Sequence, residues 1–173
     1  MQEFKIIRLS ESECGGMMSE LADVYASAKA FMRKYGNTEQ WAGKYPAAED
    51  ILQDAREGNL YAVLADNGGI VGCFCFRPSP EPNYSVIEGG RWLNDEPYHV
   101  IHRLASNGKA KGVGEAVFRW CLERCANLRV DTHEDNSPML HLIGKLGFAR
   151  CGIIYVEDGT PRIAFQRHGF GNT

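Results

Sequence analysis

The sequence predicts a mixed α/β domain with a central, mostly antiparallel sheet of about seven strands and helices on both faces, in the order βααβββαβαββ. Three observations lead there. Two pairs of β-rich runs flank Asp66-Asn67-Gly68-Gly69 and Asp158-Gly159, whose residues tolerate positive φ, so each pair forms a tight hairpin and an antiparallel neighbour. A β-rich run over 98–106 and another over 128–132 are separated by a helix, and such a crossover demands a parallel pair. Elsewhere, apolar residues recur at steps of three and four, the period of a helix with one buried face.

The first strand is Phe4 to Leu9, ending in the cluster Ser10 to Glu13. Met17, Leu21, Val24, Ala28 and Phe31 then line one face of a helix that stops near Tyr35-Gly36. A loop from Asn37 to Tyr45 follows, and Pro46 opens a second helix to about Glu57, with Ile51, Leu52 and Ala55 buried and Gly58 as its stop. Leu60 to Ala65 and Ile70 to Phe76 form the first hairpin. Prolines at 78, 80 and 82 break the pattern, and Ser85 to Glu96, with Trp92, is an irregular covering segment. After the strand Tyr98 to Ser106, Gly108 to Gly114 turns into a helix whose inner face carries Val113, Val117, Cys121 and Cys125. Leu128 to Thr132 is a short central strand. Ser137 caps and Pro138 starts a last helix through Leu140, Ile143 and Leu146 to Gly147. Phe148 to Val156 and Arg162 to Gln166 close the chain as a hairpin.

At 173 residues the chain reads as one domain, 1–173, and 44% hydrophobic with 24% charged residues is enough to build a core. Nineteen Lys and Arg against 22 Asp and Glu leave a net charge of −3, so no global basic field points to nucleic acid as the main ligand. The start, MQEFKIIRLSESE, has neither the basic flank nor the apolar run of a signal peptide, and no stretch approaches 18 apolar residues. The expectation is a cytoplasmic protein with no membrane partner, compatible with a homodimer. The six cysteines lie within apolar patterns and none is paired at CxxC spacing, which favours buried thiols over disulfides or structural zinc.

The sharpest motif is Lys109-Ala110-Lys111-Gly112-Val113-Gly114, between a strand and a helix. Glycines let successive N–H groups converge on an anion, and the helix start adds partial positive charge, so the loop suits a phosphate or pyrophosphate. It is neither a Walker loop nor a dinucleotide GxGxxG. The bland alternative is a turn that uses glycine only for tightness.

In its position, this loop resembles the acetyl-CoA loop of the GNAT superfamily of N-acetyltransferases: Gln or Arg, two residues, Gly, one residue, then Gly or Ala. Lys109 stands where Gln or Arg is usual. Asn136-Ser137-Pro138-Met139 and Lys145-Leu146-Gly147-Phe148 look like the superfamily's stretch around its last helix, at matching spacing. The resemblance implies a GNAT fold from the first strand to the last and acetyl-CoA as cosubstrate. Its pyrophosphate would lie over Lys109, Ala110, Lys111, Gly112, Val113 and Gly114, with Leu104, Ser106, Asn136 and Met139 as further contacts. It also implies that Leu104 N–H, in Arg103-Leu104-Ala105-Ser106, supplies the amide donor to the thioester oxygen.

An attacking amine must lose a proton. The resemblance places His102 where arylalkylamine acetyltransferases carry a histidine, and Asp131 where ribosomal-protein acetyltransferases carry a glutamate base. His133 shares the face of Asp131 if the strand persists, and strand alternation would put His102, Leu104 and Ser106 on one side. The alternatives are a core histidine and a loop-fixing aspartate. Ile143 replaces the tyrosine that many relatives use to protonate the leaving thiolate, which leaves Tyr98 or a water and keeps open a non-catalytic acyl-CoA-binding module.

For the amine acceptor, Trp41 and Tyr45 in the 39–46 loop are candidate grips, His133 is a further candidate, and Trp92 closes another side. His99, His102, Asp131 and His133 are ligand types without a spacing such as HExxH, so no metal is expected.

Overall fold

A computed structural model describes residues 2–169. The elements are β1 (Lys5–Arg8), α1 (Glu11–Gly16), α2 (Met18–Lys34), α3 (Ala48–Arg56), β2 (Leu60–Leu64), β3 (Ile70–Pro78), a 3-10 turn (Pro82–Tyr84), β4 (His99–Ser106), α4 (Val113–Leu122), β5 (Asn127–Thr132), α5 (Ser137–Lys145), β6 (Ala149–Tyr155) and β7 (Pro161–His168). The strands form one seven-stranded sheet ordered β1-β2-β3-β4-β5-β7-β6. Pairs β1/β2, β2/β3, β5/β7 and β6/β7 are antiparallel, with registers such as Ile7↔Ala62, Tyr61↔Phe74 and Val130↔Phe165. The crossover pair β4/β5 is parallel, His99 opposite Leu128 and Val100 opposite Arg129. This is the mostly antiparallel sheet that the hairpin and crossover signals predict.

Three local readings change. The cluster Ser10 to Glu13 does not merely end β1: Ser10 Oγ accepts from Glu13 N–H and Glu13 Oε1 accepts from Ser10 N–H, a capping box that starts the additional helix α1. Phe31 leaves the buried face of α2; it is 48% exposed and its ring lies against Tyr35. Asn136, not Ser137, caps α5, its Oδ1 accepting the N–H of Met139, while Pro138 sits in the first turn.

The residues gather into two compact units. One holds the chain up to Phe76 together with His102–Arg119, the other Arg77–Ile101 with the residues from Trp120 onward. In the first, α1, α2 and α3 bury Cys14, Leu21, Val24, Tyr25, Ala28, Ile51 and Ala55 together with Leu60 and Ala62 of β2, Cys73 of β3 and Ala105 of β4. Gly72 allows this packing: a Cβ there would lie 2.7 Å from Val113 Cγ1 and 3.0 Å from the Ala105 carbonyl oxygen, so the start of α4 is held close to β3.

In the second unit, Tyr84, Val100, Ile154 and Ala164 form a small core against which Trp92 and Tyr98 pack. The irregular segment is tied down by polar groups. Gln166 Oε1 accepts from Leu93 N–H, Asn127 Nδ2 donates to Asn94 Oδ1 and to the Pro97 carbonyl, and the Arg129 guanidinium lies between the rings of Trp92 and Tyr98, 4.2 and 3.9 Å from their centres. All six cysteines are buried free thiols, as their apolar surroundings predict. Burial pushes the Cys73 thiol up to about 12 and that of Cys125 to about 11.

Candidate functional site

The glycine loop begins where β4 ends. Asn107 fixes its base, donating through its backbone N–H to the Val71 carbonyl and through Nδ2 to the Ile70 carbonyl. Ser106 Oγ accepts from Gly108 N–H, and Asn107 Oδ1 from Lys109 N–H. Gly112 has φ +81°, a left-handed step, and its carbonyl accepts the Ala116 N–H that opens α4. The first helical N–H groups cannot find acceptors inside a helix, so the loop presents Gly112, Val113 and Gly114 amides at a positive helix end. Lys109, Lys111 and Gly112 are exposed, and a Cβ on Gly112 would meet nothing within 4 Å, so an anion can reach the backbone. These residues suit the pyrophosphate that the sequence assigns to them.

Upstream, β4 is not regular. Arg103 adopts φ +49° between His102 and Leu104. The expected alternation of His102, Leu104 and Ser106 therefore fails as an argument, because a left-handed residue breaks the two-residue period of extended backbone. Arg103 is held on three sides. Nε and Nη2 fork onto the two Asp54 carboxylate oxygens at 2.7 and 2.5 Å, Nη1 donates to Tyr45 Oη at 2.7 Å, and the Arg103 carbonyl accepts from Tyr25 Oη at 2.9 Å. Burial by itself would lower the guanidinium pKa; the hydrogen bonds and charge of Asp54 outweigh it and hold Arg103 well above its usual range. Burial, with Cys73 alongside, raises the Tyr25 phenol well above its ordinary value.

The acceptor-loop candidates belong to the same cluster. Trp41 is partly buried against the first core, its ring edge-on to Tyr25 at 5.6 Å, and it also has positive φ, +57°. Arg33 holds the loop by donating to the carbonyls of Asn37, Gln40 and Trp41, and Lys29 Nζ donates to the Gly43 carbonyl. Tyr45 is 37% exposed, with its hydroxyl on Arg103 and a face open to solvent.

The other predicted residues sit in the second unit. Asp131 Oδ2 accepts from the hydroxyl of Tyr84 at 2.6 Å; Tyr84 is buried, its carbonyl accepts from Trp92 Nε1, and burial, then the charge of Asp131, push its phenol well above the usual range. His133 is buried and its Nδ1 accepts from Asp135 N–H at 3.0 Å. Asn136 and Met139 meet at the start of α5 as cap and capped amide. Ile143 is fully buried, so α5 offers no hydroxyl at that position. Tyr98 Oη accepts from Glu81 N–H at 3.0 Å. Burial lowers the pKa of His99.

Four residues that the sequence reading does not single out stand at the centre of these contacts: Tyr25, Asp54, Tyr84 and Arg103. Asp54 leaves a signal, because it lies on the buried stripe of α3 between Ile51 and Ala55, where a carboxylate needs a partner. The left-handed conformation of Arg103 leaves none, since arginine rarely adopts it.

The acetyltransferase (GNAT) family matches the chain over residues 21–148. No curated protein matches it in sequence. Among solved structures, a GNAT-family acetyltransferase from Streptococcus agalactiae 2603 superposes with a TM-score of 0.82, 27% identity and 95% of each chain covered. One from Listeria monocytogenes 4b F2365 gives 0.71 at 15% identity, covering 96% of this chain and 95% of that one. A chain of the NatC complex bound to Gag peptide and CoA gives 0.57 at 15% identity, covering 96% and 98%. No helix among the described residues is long and apolar enough to cross a membrane.

Proposed function

Because the chain belongs to the acetyltransferase (GNAT) family, we propose that it transfers an acetyl group from acetyl-CoA directly to a primary amine, on a small molecule or a peptide N-terminus. The observation that carries this is the loop Lys109 to Gly114, with Lys109, Lys111 and left-handed Gly112 exposed at the mouth of α4, a short step along the chain from the distorted β4 residue preceding Leu104. The CoA bound to the NatC structure supports the cosubstrate as a property of that relative.

The loop amides and the Lys109 and Lys111 ammonium groups hold the pyrophosphate. Leu104 N–H donates to the thioester oxygen as negative charge grows there. The amine nitrogen bonds to the carbonyl carbon, the tetrahedral intermediate collapses, and the C–S bond breaks to release CoA thiolate. His102 takes the amine proton, with Asp131 the second candidate; holding both substrates together supplies a further part of the rate, at best about 7 to 11 kcal/mol of barrier. Tyr84 orients Asp131 by donating to its Oδ2. The thiolate takes its proton from Tyr98 or a water, since Ile143 has none to give. Trp41 and Tyr45 face the acceptor, and His133 supports the strand end near Asp131.

Buried Ile143 also favours a second reading, an acyl-CoA-binding module without transfer. A panel of amines with acetyl-CoA separates the two. Free CoA formed only when an acceptor is present supports the enzyme; tight CoA binding with no release across the panel supports the module.

A further inference from the structure

We propose that Tyr25 and Arg103 are positioning residues that lock the Arg103–Leu104 peptide plane and thereby aim and polarise the Leu104 N–H, a role that rests on the acetyl-transfer function proposed above.

Two residues of the first unit carry backbone strain. Trp41 and Arg103 are the two non-glycine residues with positive φ among those described, and such a conformation costs on the order of 1–3 kcal/mol unless its surroundings over-determine it. Both adjoin one side chain: the Tyr25 ring meets Trp41, and the Tyr25 hydroxyl holds the Arg103 carbonyl. The Arg103 side chain adds three hydrogen bonds, two to Asp54 and one to Tyr45. Tyr25, Asp54 and the Arg103 guanidinium are largely buried, so the contacts among these three are not surface pairs.

The chemical consequence follows from peptide planarity. The Arg103 carbonyl and the Leu104 N–H belong to one peptide unit, and in a trans peptide they point in opposite directions. Fixing the carbonyl fixes the amide. A donor on the carbonyl oxygen also draws electron density from the peptide nitrogen, so Tyr25 O–H, the peptide and the thioester oxygen form a polarised chain in which each hydrogen bond strengthens the next. The fork onto Asp54 holds the left-handed step from the side-chain end, and the Tyr45 contact ties the 37–45 loop to that step. Amine and thioester would then be registered to one anchor.

Infrared difference spectroscopy of bound acetyl-CoA, carbon-13 labelled at its thioester carbonyl, tests this in the intact protein. The wild type should shift the carbonyl band to lower frequency than free acetyl-CoA. Tyr25→Phe, which removes one oxygen from a buried ring, should move the band back toward the free position and lower kcat about tenfold, with the acetyl-CoA Kd within about threefold of wild type. Arg103→Ala should do the same or more, with Arg103→Lys between them. If Tyr25→Phe does not fold, Tyr45→Phe at the surface carries the test, with a smaller shift in the same direction. A band lowered in the wild type and left in place by these variants, with kcat unchanged, overturns the proposal while acetyl transfer stands. No acetyl-CoA binding by the wild type overturns both.

Discussion

Replacing Gly112 with glutamate separates the backbone requirement at this position from its electrostatics. Its φ of +81° strains any L side chain, at about 1 kcal/mol, yet the new Cβ meets no atom within 4 Å. For a chain of this size that cost lowers Tm by roughly 2–4 °C, so the variant folds. The carboxylate would stand beside bound pyrophosphate. At roughly 6 Å, one pair of like charges costs about 0.7 kcal/mol in water and about 2.8 kcal/mol at an effective dielectric of 20. Gly112 is exposed, so the effect lies toward the water limit, and two phosphate charges place the loss of CoA affinity at roughly tenfold to a hundredfold. Gly112→Ala, with strain but no charge, should lose much less. Calorimetric titration with CoA at low ionic strength measures both, and added salt should narrow the gap between them. A folded Gly112→Glu that binds CoA as the wild type does would refute this placement of the pyrophosphate.

Three further outcomes are expected. Asp54→Ala leaves the Arg103 guanidinium buried without its carboxylate and should destabilise the fold by about 3–5 kcal/mol in urea unfolding, whereas Asp54→Leu with Arg103→Met should recover most of that loss. Tyr25 and Tyr84 have folded pKa values raised above the ordinary 10.0, so their contribution to stability is complete below about pH 10 and declines as pH rises beyond it; urea midpoints should hold up to about pH 10 and fall above it, and Tyr84→Phe should flatten the decline. For His102→Ala and Asp131→Asn, kcat/KM against pH should fall by about 10²- to 10⁴-fold in the variant that lacks the base; losses below tenfold in both, with CoA binding intact, would make positioning the main catalytic effect.

Features that depend on neighbours in sequence were legible. Asn67-Gly68 and Asp158-Gly159 specify hairpins because their own backbones accept the turn, and the crossover after β4 fixes a parallel pair by chain geometry. The glycine loop and the cysteine environments could be read for the same reason. The Ser10 to Glu13 capping box was equally local, but its serines and glutamates look like a strand terminator until their spacing is weighed. What could not be read depends on partners far along the chain. Arg103 meets Asp54 and Tyr25 across 49 and 78 positions, and Tyr84 meets Asp131 across 47. No periodicity encodes such pairs. The β4 alternation failed for the same reason, since tertiary contacts hold Arg103 where its own preference would not.

The most direct test of acetyl transfer follows the acetyl group itself. Acetyl-CoA labelled in its acetyl carbon is mixed with the protein and an amine panel, then quenched at short times for mass spectrometry of protein and small molecules. The expected result is label on an amine in a one-to-one ratio with CoA thiol and none on the protein, because all six cysteines are buried and burial pushes the pKa of Cys14, Cys73, Cys121, Cys125 and Cys151 upward, away from the thiolate. Label trapped on a cysteine and passed on to the amine would contradict direct attack, and bound acetyl-CoA with no thiol released to any acceptor would contradict transfer altogether.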